Sequence, residues 1–291
     1  MQQPADVIDD VLTLPDRRRV GYRLRGARTG RPVVYFHGQP GCRLEADLIP
    51  DRLLDTFGLR VLSFDRPGVG RSDLIPAEDM KLGVEDAIRV ADHVGFERFA
   101  VIGVSAGGPP ALALSAAHPE RVDRTILVSA SGEYDDDRYM HPADVAEFKL
   151  LRERGPGPLV PEYEAFRDSV LADVDGTIAK LFATFPEAER TWISSPPAKA
   201  PAAADFLESV AQGSAGILRE TEVRALPWSF DVASIQSPLR AFHGDADSLE
   251  RLSNMQRIIA AVPDGALTVY PGGDHLSPWV HSEDFLRAAI A

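Results

Sequence analysis

The stretch FAVIGVSAGGPPALALSAAHPE, residues 99–120, constrains this chain more than any other, because residues 99–117 carry no charge. A membrane helix needs about 20 apolar residues, so length alone permits one. The middle of the run argues against it. Gly107, Gly108, Pro109 and Pro110 fall there, and a proline inside a helix costs roughly 3 kcal/mol through a lost hydrogen bond and a ring clash. The run divides instead into a buried strand, a sharp turn at Ser105 and a helix. Pro109 and Pro110 then occupy the first helical turn, which tolerates proline. A strand in mid-sheet with a helix against it accounts for the missing charges.

The rest of the chain repeats that alternation. RVGYRLRG reads as a strand with VLTL as its hairpin partner; RPVVYFHG, LRVLSFD, RTILVSA, SPLRAFHG and ALTVYPG read as further short strands. Helical patterns are expected over 43–57, 81–94, 249–262 and 282–291. The predicted fold class is α/β, a mostly parallel central sheet with helices on both faces. Over 133–232 the strands stop. Helical patterns there (DVAEFKLLRER, EYEAFRDSVLADV, GTIAKLFATF, AAADFLESVAQG) are punctuated by GPGPLVP and SSPPAKAP. The expected organisation is a core of residues 1–132 and 233–291, interrupted by a helical insertion at 133–232 that does not fold independently.

Charge and cysteine usage narrow the function classes. Lys and Arg total 31 against 44 acidic residues, a formal net charge of −13, and such a surface repels a phosphate backbone. Nucleic acid is therefore not an expected partner. Cys42 is the single cysteine, so no intramolecular disulfide forms. MQQPADVIDDVLTL has neither a basic start nor an apolar core of signal-peptide length. The expected setting is the cytoplasm, without a membrane partner; nothing in the sequence fixes the oligomeric state.

The pentapeptide GVSAG (Gly103 to Gly107) places a serine at the apex of a strand–turn–helix, where glycines permit a turn too tight for larger neighbours. With Gly and Ser each near 7% of residues, G-x-S-x-G arises by chance in about one such chain in ten; the strand–turn–helix setting gives it weight. A serine hydroxyl needs a base, and the base an orienting partner. Of seven histidines, His93, His118, His141 and His281 fall at helix ends or in the insertion, and His37 and His243 precede glycines at strand ends and look structural. His275, in the glycine-rich loop PGGDHLSP, is the expected base. HGDADSLE offers Asp245 and Asp247 as acids; either also suits a turn or a cap. Asp247 is favoured. The order Ser105, Asp247, His275 is a known chain order for this chemistry.

On HGQPG (His37 to Gly41), DRPGVGRS (Asp65 to Ser72), GVSAGG, HGDAD and GGDH, the chain resembles the α/β-hydrolase superfamily, specifically its serine hydrolases of esterase or lactonase type that carry a helical cap. The likeness covers nearly all of the chain outside the insertion. It implies that the main-chain amides of Gln39 and Ala106 form the oxyanion hole. It also implies that the acid stands three positions after the glycine of the His–Gly strand end, which matches Asp247 and not Asp245, and that Asp65 and Arg66 hold architecture. Relatives with Asp at the elbow act as dehalogenases or epoxide hydrolases, and Ser105 argues against both. The chain departs from the family at SLE, where a small apolar residue and a proline are usual; with Asp247 displaced, Glu133 or Asp135 would supply the acid.

The expected function is hydrolysis of a small or medium, mostly apolar carboxylic ester, lactone or thioester through an acyl-enzyme. The alternatives are carbon–carbon bond hydrolysis or acyl transfer with the same triad, and a non-catalytic binding protein of this fold. The insertion is expected to act as a lid whose aromatic residues, among them Phe166, Phe182, Phe185, Trp192, Phe206 and Trp228, supply candidates for the pocket wall. No metal-ligand cluster or dinucleotide fingerprint is visible, so a small-molecule substrate and no cofactor are expected. The rate is expected to fall below about pH 6–7 as His275 protonates.

Overall fold

The computed structural model describes residues 7–77 and 80–291; residues 1–6, part of the N-terminal stretch considered above, lie outside the described residues. Eight strands form one sheet: β1 Ile8–Thr13, β2 Arg19–Gly26, β3 Arg31–Phe36, β4 Leu59–Phe64, β5 Phe99–Val104, β6 Val122–Val128, β7 Leu239–Gly244 and β8 Gly265–Tyr270, in the order β1-β2-β4-β3-β5-β6-β7-β8. The hairpin β1–β2 and the pair β2–β4 are antiparallel, and β4, β3, β5, β6, β7 and β8 run parallel to one another. Every residue of β4 and β5 is buried, which is why FAVIGV reads as a continuous apolar run and LRVLSF as one broken only by Arg60 and Ser63.

Both faces of the sheet are covered. Val33, Tyr35, Ile102 and Val104 point to the face packed by α1 (Asp51–Phe57) and, from the C-terminus, Phe285 and Leu286. Val34, Phe36, Phe64 and Val101 point to the other, against α2 (Lys81–His93) and α3 (Gly108–Ala117). Alternate residues therefore serve opposite cores, as the period of two requires. Between β6 and β7 come α4 (Pro142–Arg154), α5 (Val160–Ala172), α6 (Val174–Leu181), α7 (Glu187–Ser194), α8 (Pro196–Ser209) and α9 (Ala215–Arg224), then α10 (Leu252–Ala261), α11 (Ser277–Val280) and α12 (Ser282–Ala288) finish the chain around β7 and β8. Phe182, Phe185, Ile193 and Phe206 from α6–α8 and their joins extend the sheet-side core, whereas Tyr134, Phe148, Leu151, Leu159 and Leu218 make a separate cluster farther out. Among the described residues, no helix is long and apolar enough to cross a membrane.

Three local expectations differ from the structure. The helix expected over 43–57 is a 3-10 turn, Arg43–Leu48, followed by α1; Pro50 lacks an amide proton and keeps Ile49 extended, at φ −82° and ψ 111°. SSPPAKAP is not punctuation but the first turns of α8, with Pro196 and Pro197 at its start and Pro201 inside it. The side chains around that proline, Ala198, Ala202 and Asp205, are buried, so tertiary packing outweighs a local cost. The helix expected from 249 begins only at Leu252, for a reason that lies in the site itself.

Candidate active site

Ser105 follows β5 directly and has a positive φ of 49°, a conformation unfavourable for any residue with a Cβ. The two glycines of GVSAG make the turn possible by close approach. A Cβ on Gly103 would lie 2.6 Å from the Gly107 carbonyl oxygen, and one on Gly107 would lie 2.2 Å from that of Phe36. The elbow is thus wedged between its own helix and β3, and the serine side chain emerges at the carboxyl end of the sheet.

His275 sits in the loop after β8 and Asp247 in the loop after β7. The histidine Nδ1 lies 2.9 Å from Asp247 Oδ2 and 3.1 Å from Oδ1, so Nδ1 carries the proton and, in the neutral ring, Nε2 is the free acceptor. Asp247 Oδ1 also accepts from the amides of Leu249 (2.9 Å) and Glu250 (2.8 Å). Those bonds delay the start of α10, and they hold the unusual SLE segment without a proline. The other acids considered have different partners: Asp245 accepts from the Gly272 amide, Glu133 from the Trp228 amide, and Asp135 pairs with Arg257.

Electrostatics favour a charged pair. Burial pushes His275 down, but the Asp247 carboxylate outweighs it, and with help from Glu250 and Asp274 its pKa stands at about 8. Burial pushes Asp247 up, while His275 and then His243 pull it below the ordinary aspartate value. His243 Nε2 lies 3.0 Å from the Glu250 carbonyl oxygen and 3.3 Å from Asp247 Oδ2. A carbonyl only accepts, so this nitrogen carries a proton and His243 braces the acid.

The loop bearing His275 is fixed from two sides. Ser129 Oγ donates to the His275 carbonyl at 2.7 Å. Glu189 of α7, 2% exposed, accepts from the amides of Asp274 (2.7 Å) and Leu276 (2.8 Å) and from Ser277 Oγ (2.6 Å). Across the site, Gln39 follows β3. Its side chain is tied to α9, donating to the Ile217 carbonyl (2.9 Å) and Thr221 Oγ1 (2.6 Å) and accepting from Arg224 (2.9 Å). Arg66 supports the same turn, donating to the carbonyls of His37 and Gly38 and pairing with Glu220 at 2.6 Å. Asp65 accepts from the amides of Arg43 and Arg71.

Ser105, His275, Gly38 and Gln39 line one cavity of about 610 Å³, counting its open mouth. Phe182, Trp192, Ile193 and Phe206 from the insertion, with Leu276 and Trp279, form the apolar part of its wall. Among the described residues no hydrogen bond joins Ser105 Oγ to His275; such contacts are often loose without substrate. Ala106 continues the elbow and borders a neighbouring hollow with Pro109 and Arg224. Of the aromatic candidates, Phe182, Trp192 and Phe206 reach the cavity. Phe166 packs behind, against Phe206, and Phe185 against Phe182. Trp228 stacks on Phe230 in a separate hollow with Glu133 and Arg257. Among the described residues, no group of three or more His, Cys, Asp or Glu side chains is arranged to hold a metal ion.

The family model described as alpha/beta hydrolase fold matches residues 31–282. The chain belongs to the α/β-hydrolase family. A curated relative is the 2-hydroxy-6-oxononadienedioate/2-hydroxy-6-oxononatrienedioate hydrolase 2 of Pseudomonas putida, 25% identical over 272 residues, 91% of this chain and 87% of that protein. Similar solved structures include a hydrolase from Pseudomonas aeruginosa PA01, with TM-score 0.70, 21% identity and 96% of each chain covered. Another is the enol-lactonase from Burkholderia xenovorans LB400, with TM-score 0.68, 18% identity, and 97% and 98% covered. The curated relative is a hydrolase by name, and the structural likenesses at this identity carry the fold alone.

Reading the sequence missed Glu189, Glu45 and Asp205, and it took His243 as structural without naming Asp247 as what it braces. HG at the end of β7 was a usable signal for His243, since a side chain there stands near any acid on the following turn. Glu189 and Asp205 sit on helices of the insertion, α7 and α8, whose docking no local pattern specifies.

Proposed function

We propose that this α/β-hydrolase is a serine hydrolase of small or medium, mostly apolar carboxylic esters, lactones or thioesters, with Ser105 as nucleophile, His275 as base and Asp247 as its orienting acid. The observation that carries the reading is that His275, held from behind by buried Asp247, lines one aromatic-walled cavity together with a serine at positive φ. Neutral His275 takes the Ser105 proton at Nε2 as Oγ attacks the acyl carbon. The main-chain amides of Gln39 and Ala106 receive the oxyanion, a contribution of roughly 3–4 kcal/mol per donor in a comparable enzyme. The imidazolium, stabilised by Asp247, then protonates the leaving alkoxide or thiolate. Water attacks the acyl-enzyme with His275 again as base, releasing the acid and restoring Ser105. Residues 133–232 serve as the lid, and the lone buried Cys42 supports a cytoplasmic setting.

Carbon–carbon cleavage by the same triad is the second reading, favoured by the Pseudomonas putida relative. That protein is named for a dioate, a doubly charged substrate, whereas among the described residues no Lys or Arg lines the cavity of this chain and Glu45 and Asp205 do. The ester reading fits this wall better. Labelling by a fluorophosphonate, with the adduct mapped to Ser105 and absent after Ser105→Ala, tests the nucleophile. Activated esters assayed against vinylogous diketones separate the two reactions; faster turnover of the diketones would put carbon–carbon cleavage first.

A further inference from the structure

Glu45 and Asp205 take no part in the reaction above, yet both line the cavity with Ser105 and His275. Glu45 comes from the 3-10 turn after β3, Asp205 from α8, and they are 9% and 2% exposed. Each spends one oxygen on the fold. Glu45 Oε2 accepts from Tyr35 OH (2.8 Å) and the Gly38 amide (2.9 Å), and Asp205 Oδ1 accepts from the Cys42 amide (2.8 Å). Among the described residues, no N–H or O–H group donates to Glu45 Oε1 or Asp205 Oδ2, the weak Cys42 thiol donor lies beside Asp205, and neither carboxyl has an ion-pair partner. Arg66, whose charge Glu45 feels, is committed to Glu220 and the carbonyls of His37 and Gly38.

Buried carboxyls with idle acceptor oxygens are costly unless something donates to them. Burial raises the pKa of Glu45 to about 7, and raises that of Asp205 well above the usual range with a further push from Glu45. A cation carrying N–H donors relieves both penalties. The remaining wall suits one, because it includes the aromatic rings of Phe182, Trp192, Phe206 and Trp279, which attract cations, and a net charge of −13 favours approach of positive ligands. Position narrows the ligand further. A Cβ built on Gly38 would meet Glu45 Oε1 at 2.9 Å and Ser105 Cβ at 3.4 Å, so the carboxyl and the nucleophile flank the same point.

We propose that Glu45 and Asp205 form a subsite for a protonated amine close to the acyl carbon, so that the preferred substrates are small apolar α-amino acyl esters. The subsite rests on the reading of Ser105 as nucleophile and adds no chemical step: the ester and water give the amino acid and the alcohol through the same acyl-enzyme, with the ammonium group unchanged.

The test compares benzyl alaninate with benzyl propanoate near pH 7, which differ by one ammonium group. The wild-type ratio of kcat/KM is expected to favour the amino ester by roughly tenfold or more, the discrimination of a charge-assisted hydrogen bond. Glu45→Gln and Asp205→Asn should each bring that ratio towards unity, and the ratio cancels any loss common to both esters. Asp205→Asn guards against a Glu45 variant that disturbs Gly38. A wild-type ratio at or below unity overturns the subsite and leaves ester hydrolysis standing. If neither ester turns over, calorimetric titration of the wild-type protein decides without chemistry: isopentylamine should bind roughly tenfold tighter than isopentanol, and equal affinities overturn the subsite.

Discussion

Ser105, Asp247 and His275 each stand within a few residues of a parallel strand's carboxyl end, whereas Phe182, Trp192, Asp205 and Phe206 reach the same cavity from helices of the insertion. The first set inherits its position from a hydrogen-bonded ladder. The central register of β5 and β6, and that of β6 and β7, fixes where their loops leave the sheet. The second set depends on docking: apolar packing of α6–α8 on the sheet-side core, and a few polar ties such as Glu189 to the His275 loop and Asp205 to the Cys42 amide. In the proposed reading, reactivity and selectivity are therefore carried by parts of the chain held in place by different forces. Substitutions at strand ends should change rate at the chemical step, and substitutions in the insertion should change affinity, specificity and stability.

The largest expected effect is Ser105→Ala, with kcat falling by about 10⁶ as in the serine-protease precedent. A single-turnover assay on an activated ester measures it, and retention of most of the activity would break the assignment of chemistry to the strand ends. Next comes Asp247→Asn, expected to lower kcat by about 10⁴ by favouring the wrong tautomer. The pH profile sharpens the same point. His275 acts as a base only when neutral, and Asp247 holds its pKa at about 8, so kcat/KM of the wild type should fall as pH drops through about 8 rather than the 6–7 expected from an ordinary histidine. Asp247→Asn removes that support, and the acid limb should move to lower pH. A profile flat from pH 5 to 9 would contradict both.

This contrast also explains what was legible in the sequence. The α/β class, the eight short strands and the identities of Ser105, Asp247 and His275 as candidates came from local signals: uniformly apolar strands, glycines at a tight turn, a polar residue just past a strand. Those signals are strong because the ladder leaves few alternatives. The insertion gave only helical periodicity. Periodicity tells which face is apolar but not what it meets, so Phe166 and Trp228 looked as suitable for the wall as Phe182 and Trp192. Glu189 was invisible for the same reason: a glutamate on a short helix reads as solvent-facing until α11 and the His275 loop close over it. SSPPAKAP misled because proline was weighed locally, while Ala198, Ala202 and Phe206 repay it by burial against the rest of the molecule.

Glu189 is where the two regions meet. Glu189→Ala leaves two amides and a hydroxyl without their acceptor in a buried site. Each unmet donor costs about 1–3 kcal/mol, so a loss of at least about 3 kcal/mol in urea unfolding is expected, with kcat reduced because the His275 loop loses its anchor. Unchanged stability with unchanged kcat would mean that the insertion does not brace the catalytic loop.

The smallest effects discriminate most finely, because they set two tryptophans of the insertion against each other. Trp192 stacks on Trp279 at 5.7 Å and lines the cavity; Trp228 stacks on Phe230 and lines another hollow. Removing the contact area of a large side chain from bound substrate forfeits about 1.5–3 kcal/mol. Trp192→Ala should therefore raise KM for an apolar ester by roughly tenfold or more, with kcat changed less because Ser105 and His275 keep their places beyond the strand ends. Trp228→Ala should leave both constants within about twofold, the range of a substitution that touches neither substrate nor catalytic loop. Equal effects would place the acyl wall elsewhere in the insertion, and a larger effect at Trp228 would turn the cavity assignment around while leaving the strand-end chemistry intact.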